Sequence, residues 1–409
     1  MKYEKPSSDG ALKGLRVLDL SHQYSGALAA SFLADLGADV VCVEHPRKTA
    51  IRTMLPKKDG ESLWWKVVQR GKSNITLDLS SLEGRDIFLS LVRDFDILIE
   101  NFRPGTLERW RIGPKDLEAA EIDIVMLRIS GFGQSGPMRD LPGFGTIAEA
   151  MSGFAHLNGF PDGPPVFPSS TLADGVAAIF GAFGIMAATV ARLRQGSKGV
   201  EVVDMALFEG LFRLIPTQVA GYDQIGQIPE RPGNFLSTHG VLRNLYKSGN
   251  GEHFVVSAVG AAAIRRVLVA ADSDELVERI DNCIMDCPPA EVEAFLIDCN
   301  TVLIRWSQEH NFEDLSASLT AAGAVFSRVF DVSDIVGDPH YQAREDLIQV
   351  PDADFNMILM QGVVPKFPNR NHTVSHAGQA RGYDNARIYG KTLGLGEEGL
   401  KRLVDAGVI

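Results

Sequence analysis

Positive charge is what this sequence is short of: 40 Lys and Arg stand against 52 Asp and Glu, a net charge of −12 with histidines neutral. Nucleic-acid and polybasic membrane roles rest on a clustered positive field, and both are excluded as the chain's main business. Cysteine is scarce as well. Four cysteines in 409 residues make no disulfide framework, and none of Cys42, Cys283, Cys287 and Cys299 falls in a C-x-x-C pair. A reducing compartment follows. Cys283 and Cys287 precede Pro288 and Pro289 with no histidine ligand nearby, so no metal site is expected. No run approaches the roughly 18 to 20 uncharged apolar residues of a membrane span, and the N-terminal MKYEKPSSDGALKG is charged. The expectation is a soluble, cytoplasmic protein. The apolar share of 45% and charged share of 22% are those of a globular chain, which excludes wholesale disorder.

What is present reads first as alternating strands and helices. Leu15–Leu20 is a short β-rich run, Ala27–Leu36 carries helical apolar spacing, Gly37 closes it, and Val40–Val43 is apolar again. The pattern repeats with a helix after Ser80 and Ser81, then strands at Asp96–Glu100 and Ile122–Ile129. Parallel strands need long crossovers, so this alternation implies a parallel sheet with helices on both faces. Ligands in such sheets bind beyond the strand carboxyl ends. A helix of small residues, Ala173–Ala191, reads as buried at the centre of the molecule. At roughly 150 residues per domain the length allows two or three units. The partition is a large N-terminal part over 1–216, a linker over 217–232 rich in Pro, Gly and Gln, a smaller α+β domain over 233–329, and a return segment over 330–409.

Several motifs fail on context. Gly131-Phe-Gly-Gln-Ser-Gly136 satisfies G-x-G-x-x-G, but Pro137, Arg139 and Asp140 follow where a helix should begin. The true first βα turn, Ser21-His-Gln-Tyr-Ser-Gly26, has one glycine where a pyrophosphate site wants three, although Glu44 ends the second strand as a ribose-binding acid would. The sheet is Rossmann-like without its fingerprint. No serine sits in a G-x-S-x-G elbow, since Pro137 follows Ser135 where glycine is needed. His22 lies at the mouth of the first βα turn, where either a polar loop residue or a ligand-binding one is found. Asp174 enters the long apolar helix. It reads either as an acid offsetting the helix dipole or as a poorly solvated carboxylate, a competent nucleophile toward an activated acyl group.

Taken in order, seven stretches resemble one family. They are Gly14–Leu20, Phe32–Val41 ending in Glu44, Arg70–Leu79, Glu100–Gly105, Ser130–Pro137, Ala150–Gly153 and the Asp174 segment, with Ala322-Gly323, Asp338-Pro339 and Arg344 further on. The family is that of the class III CoA-transferases, the group containing formyl-CoA transferase and carnitine CoA-transferase, and the likeness covers nearly the whole chain. The resemblance implies a discontinuous large domain, a small domain and an interlocked homodimer, or else a hetero-oligomer with a related subunit. It also implies that Asp174 is the nucleophile, passing through an acyl-aspartyl anhydride and an aspartyl-CoA thioester, with CoA thioesters as substrates and no tightly bound cofactor. An aspartate is ionised at neutral pH, so no general base is needed.

Carried over by position, the CoA contacts implied are His22, Gln23 and Tyr24; His45 with Arg47; Arg70, Lys72 and Leu77; and Asn101, Phe102, Arg103 and Arg109. His45 sits where formyl-CoA transferase has an arginine, which leaves Arg47 to supply that charge. The superfamily also holds acyl-CoA racemases, which pair the aspartate with a histidine. Here Phe144 occupies that position and Gly145 the following acid, and Phe144 transfers no proton. The loop Gly143-Phe-Gly145 also leaves little bulk near the acyl group. It resembles members that use succinyl-CoA and act on malate or benzylsuccinate, so a dicarboxylic or aromatic acceptor is expected. Glu149 reads as a residue orienting this loop or as a solvent-facing helix residue. A structural partner subunit of a catalytic paralogue is the non-enzymatic alternative, and Asp174 speaks against it.

Overall fold

The computed structural model describes residues 9–236, 240–284 and 287–409, without the side chains of 281–286. The charged residues 1–8 and the Cys283 side chain named above lie outside the described residues. Two compact units divide the chain: residues 1–155, 167–225 and 340–409 form the larger, residues 156–166 and 226–339 the smaller.

Six strands build the sheet of the larger unit: β1 (Arg16–Asp19), β2 (Asp39–Glu44), β3 (Ser73–Thr76), β4 (Ile97–Glu100), β5 (Ile124–Ser130) and β6 (Val200–Ala206). Every neighbouring pair is parallel and the order is β3-β2-β1-β4-β5-β6. Successive residues of each strand face opposite layers. Leu18, Val41, Leu98 and Met126 join a core with Ile87, Phe88, Leu91, Ile388 and Tyr389, whereas Val17, Val40, Ile97, Val125 and Leu127 face Ala29, Leu33, Ala177 and Ile185. Because both faces are covered, the strands are nearly continuous apolar runs. Strand order reverses direction at β1 and β4, which opens a crevice above their carboxyl ends.

Helices α1 (Tyr24–Asp35), α2 (Gly145–Met151) and α3 (Leu172–Gln195) bear on that crevice. The expectation that α3 is buried holds for one face only. Ala173, Ala177, Ala178, Gly181, Ile185 and Ala188 are buried, while Phe183 is 70% and Leu193 80% exposed. The expected absence of a long apolar run is also corrected. By length and composition α3 is apolar enough to cross a membrane, because its one acid lies in the first turn and its arginines in the last.

The large unit is completed from the far end of the chain. Asp384 accepts the Asn74 amide at 2.8 Å, Asn385 that of Thr76 at 2.9 Å, and the Tyr389 hydroxyl donates to the Thr76 carbonyl at 2.7 Å. These bonds occupy the free edge of β3. Residues 217–225, read above as linker, continue the helix Pro216–Ile225, and Pro216 at its start is where the missing N–H costs nothing. In the smaller unit a three-stranded antiparallel sheet (Val241–Lys247, His253–Val259, Phe326–Arg328) packs with helices Ala261–Ala270, Asp274–Ile284, Pro289–Glu309 and Phe312–Ala321.

Candidate active site

The crevice above β1 and β4 is built from two loops tied together. Asp19 at the end of β1 accepts the Ser21 amide at 2.9 Å, and the His22 amide donates to Asn101 Oδ1 at 3.1 Å. The His22 ring then stacks on Phe102, with centroids 4.7 Å apart at 12°. Beneath the second loop, Glu100 accepts the Phe102 amide at 2.7 Å and the Arg128 guanidinium at 2.7 Å. Burial pushes the Glu100 carboxyl up to about 7 despite that arginine. Burial likewise lowers the His22 imidazole, which favours the neutral ring.

Two small cavities share the His22–Phe102 wall. One, of about 200 Å³, is lined by Val43, Glu44, His45, Lys48, Thr49, Leu77, Leu79 and Trp110. The other, of about 220 Å³, contains Gln23, Asn101, Arg103, Ser130, Phe144 and Asp174. Here Thr171 caps α3, so Asp174 is the third helical residue rather than the cap. Its carboxyl is raised to about 6, first by burial and then by the negative charge of Glu149. No cation is among the groups that shift it, although Arg103 lines the same cavity. The Tyr24 hydroxyl, bonded to Thr171, is held up by burial and by the Asp174 charge. Glu149 is not solvent-facing: it is 3% exposed and accepts the Ala173 amide at 3.3 Å. Gly145, at the start of α2, makes room for the Asp174 carboxylate, since a Cβ there would lie 2.1 Å from Asp174 Oδ2.

Three of the cations assigned to CoA above have other employment. Lys72 is fully buried with its Nζ 2.9 Å from Asp19 Oδ2 and 2.7 Å from the Ala27 carbonyl. Arg70 is buried against Asp35, Nε to Oδ1 at 3.0 Å, and also donates to the Gln361 carbonyl. Arg109 donates to Thr106 Oγ1 at 3.0 Å and lines neither cavity. Arg47 is exposed and meets His45 through its backbone at 3.0 Å; Lys48 is the neighbour that lines the first cavity. Glu44, the would-be ribose acid, is held by Thr49 at 2.6 Å and by Arg52 at 2.7 and 2.9 Å. His22, Gln23, Asn101, Phe102 and Arg103 do come together around Asp174, and His45 and Leu77 face the adjoining space. Lys48, Trp110 and Ser130 were not singled out in the sequence. Ser130 stood inside a recognised motif, and proximity of Lys48 to His45 was the one signal for it.

The description of CoA-transferase family III matches residues 12–385. The chain belongs to this family. It is 36% identical over 400 residues to a succinyl-CoA–D-citramalate CoA-transferase of Chloroflexus aurantiacus, covering 97% of this chain and 98% of that one. It is 31% identical over 402 residues to the beta subunit of a succinyl-CoA–L-malate CoA-transferase of the same organism, at 97% and 98% coverage. Against a succinyl-CoA:mesaconate CoA-transferase of Haloarcula marismortui the identity is 33%, covering 86% and 88%. Among solved structures, a CAIB/BAIF family protein from Brucella suis shares the fold with a TM-score of 0.81 at 24% identity, covering 94% and 99%. A family III CoA-transferase needs a place for a CoA thioester and an acid, and the crevice at the β1/β4 reversal is where the doubly wound sheet offers one.

Proposed function

We propose that this CoA-transferase takes CoA from succinyl-CoA and passes it to a second short-chain dicarboxylic acid, with Asp174 as the covalent nucleophile. The observation that carries the reading is a half-desolvated carboxylate, shifted by no cation, in a small cleft at the sheet's switch point, and the relatives' names supply the donor. An Asp174 oxygen attacks the thioester carbonyl and expels CoA thiolate, leaving a mixed anhydride. The thiolate attacks the aspartyl carbonyl of that anhydride, releasing the donor acid and leaving an aspartyl-CoA thioester. The acceptor carboxylate attacks this thioester to form a second anhydride. Thiolate then takes the acceptor acyl group and frees Asp174. No base, metal or further cofactor enters these steps.

CoA is read as lying across the His22–Phe102 stack, with Gln23 and Asn101 at the thioester end and His45, Lys48 and Leu77 toward the nucleotide. Arg103 offers the distal carboxylate of a dicarboxylate a cation. Phe144 in the racemase's histidine position supports transfer over α-proton exchange. The protein is read as cytoplasmic. It is also read as an interlocked dimer of two copies or of related subunits, a reading supported by Ile179, Phe183 and Leu193 on α3 and Tyr222 and Ile225 beyond it, all exposed.

Purified Asp174→Ala, assayed with succinyl-CoA and citramalate, malate, mesaconate or benzylsuccinate, is expected to lose transfer by more than roughly 1,000-fold. Undiminished transfer, or a hydroxylamine-trapped adduct on another residue of the unmodified enzyme, overturns the nucleophile. Failure of succinyl-CoA with all four acids overturns the donor assignment.

A further inference from the structure

Ser130 ends β5 and is 8% exposed. Its hydroxyl makes no hydrogen bond among the described residues. A buried polar group left without a partner costs stability, so a native fold that keeps one calls for an account of what it meets. The hydroxyl belongs to a residue lining the same cavity of about 220 Å³ as Asp174. Ser25 lines that cavity too, but of the two only Ser130 is both buried and unpartnered.

A chain of close contacts brings Ser130 to the nucleophile. Its neighbour Gly131 packs on Gly143 so tightly that a Cβ built on Gly131 would stand 2.8 Å from the Gly143 Cα. Two residues on, Gly145 borders the Asp174 carboxylate, with 2.1 Å from a built Cβ to Oδ2. The end of β5, the loop before α2 and the first turn of α3 therefore meet around one point. Ile129, Leu141, Phe144 and Leu207 supply the apolar side of this cavity. In such surroundings a single well-placed donor counts for more than it would in water.

We propose that the Ser130 hydroxyl donates a hydrogen bond to the carbonyl oxygen of the acyl group under attack and stabilises the oxyanion of the tetrahedral adduct with Asp174. The inference rests on Asp174 being the nucleophile. As an Asp174 oxygen bonds to the carbonyl carbon, the π pair of the C=O moves onto oxygen, where Ser130 meets it while keeping its own proton. When the C–S bond breaks, thiolate leaves with the bonding pair and the carbonyl re-forms. The bond from Ser130 is strongest while the charge is on oxygen, which is the condition for lowering the barrier rather than for tightening binding.

The test is a comparison of Ser130→Ala and Ser130→Cys with the unmodified enzyme in steady-state transfer from succinyl-CoA. Expected is a fall in kcat of roughly 100-fold for alanine and less for the weaker thiol donor, with both KM values within about threefold. Tm should stay level or rise, because the substitution removes an unpartnered hydroxyl. Ser130→Ala should still give the hydroxylamine-trapped adduct on Asp174, formed more slowly. A kcat within twofold of the unmodified enzyme overturns the proposal. So does a loss carried by KM or accompanied by a drop in Tm, which assigns Ser130 to the fold. Absence of any adduct in the unmodified enzyme sinks the Asp174 reading itself, a result distinct from these.

Discussion

Two aspartates of the large unit are treated in opposite ways. Asp19, at the end of β1, is fully buried and carries its own counter-ion, Lys72, 2.9 Å away, while its other oxygen holds the Ser21 amide. Asp174, in the first turn of α3, has the carboxylate of Glu149 for a neighbour and no cation among the groups that shift it. A buried charge without a partner is costly, and folds ordinarily neutralise it as Asp19 is neutralised. Burial and the Glu149 charge raise Asp174 to about 6, with one backbone hydrogen bond and no counter-ion acting against them. The paired carboxylate shapes the loop; the unpaired one is available for bond formation.

The contrast breaks most sharply at the paired end. Lys72→Met strands the Asp19 charge inside the protein, and removal of one partner of a buried pair costs about 3–5 kcal/mol. Urea denaturation should show this loss, and Asp19→Asn combined with Lys72→Met should recover part of it. If Lys72→Met costs less than about 1 kcal/mol, Lys72 is not the structural cation described here, and its assignment to CoA reopens. At the unpaired end the first lever is space. Gly145→Ala introduces a Cβ 2.1 Å from Asp174 Oδ2, so the carboxylate must move. A shift of about 1 Å at a reacting atom lowers kcat by roughly 100-fold. Stability should change little, because the carboxylate can rotate into the cleft; equal kcat would count against Asp174 as the nucleophile.

How legible this was in the sequence differs by layer. The β1–β5 rhythm was readable because strands buried on both faces are apolar runs and the helices between them keep a 3.6-residue period. β6 escaped because Glu201 and Asp204 interrupt its apolar pattern, as an edge strand with one open face permits. Asp174 was visible as an acid in an apolar helix. The pairing of two of the cations was not legible for a physical reason: a basic side chain facing solvent and one facing a buried acid look the same in sequence. Arg70 meets Asp35 and Lys72 meets Asp19, partners 35 and 53 positions away. Glu149 was left between two roles because only burial distinguishes a helix's inner face from its outer one over seven residues. Ser130 needed more still, since an unpartnered hydroxyl is a property of its surroundings.

The smallest expected effect gives the finest test of the contrast. Glu149→Gln keeps an oxygen to accept the Ala173 amide but removes the charge facing Asp174 from α2. On the proposed mechanism Asp174 attacks as the carboxylate, so kcat/KM of the unmodified enzyme should fall as pH drops through about 6. Burial remains after the substitution and the like charge does not, so the acid limb should move to lower pH without reaching the ordinary aspartate range near 3.8. At pH 8, where Asp174 is ionised in both proteins, rates should differ little. The stability sign runs the same way. With its folded value raised above 3.8, Asp174 subtracts stability as pH climbs from there through about 6, and Glu149→Gln should shrink that decline. Tyr24, which the Asp174 charge also reaches, is held up by burial and stays neutral throughout this range, while the His22 imidazole in the same cavity is unchanged between the two proteins, so a displacement of the limb reports on Glu149. An acid limb that stays in place or moves upward would mean that Glu149 acts on the helix terminus alone, and that desolvation by itself separates Asp174 from Asp19.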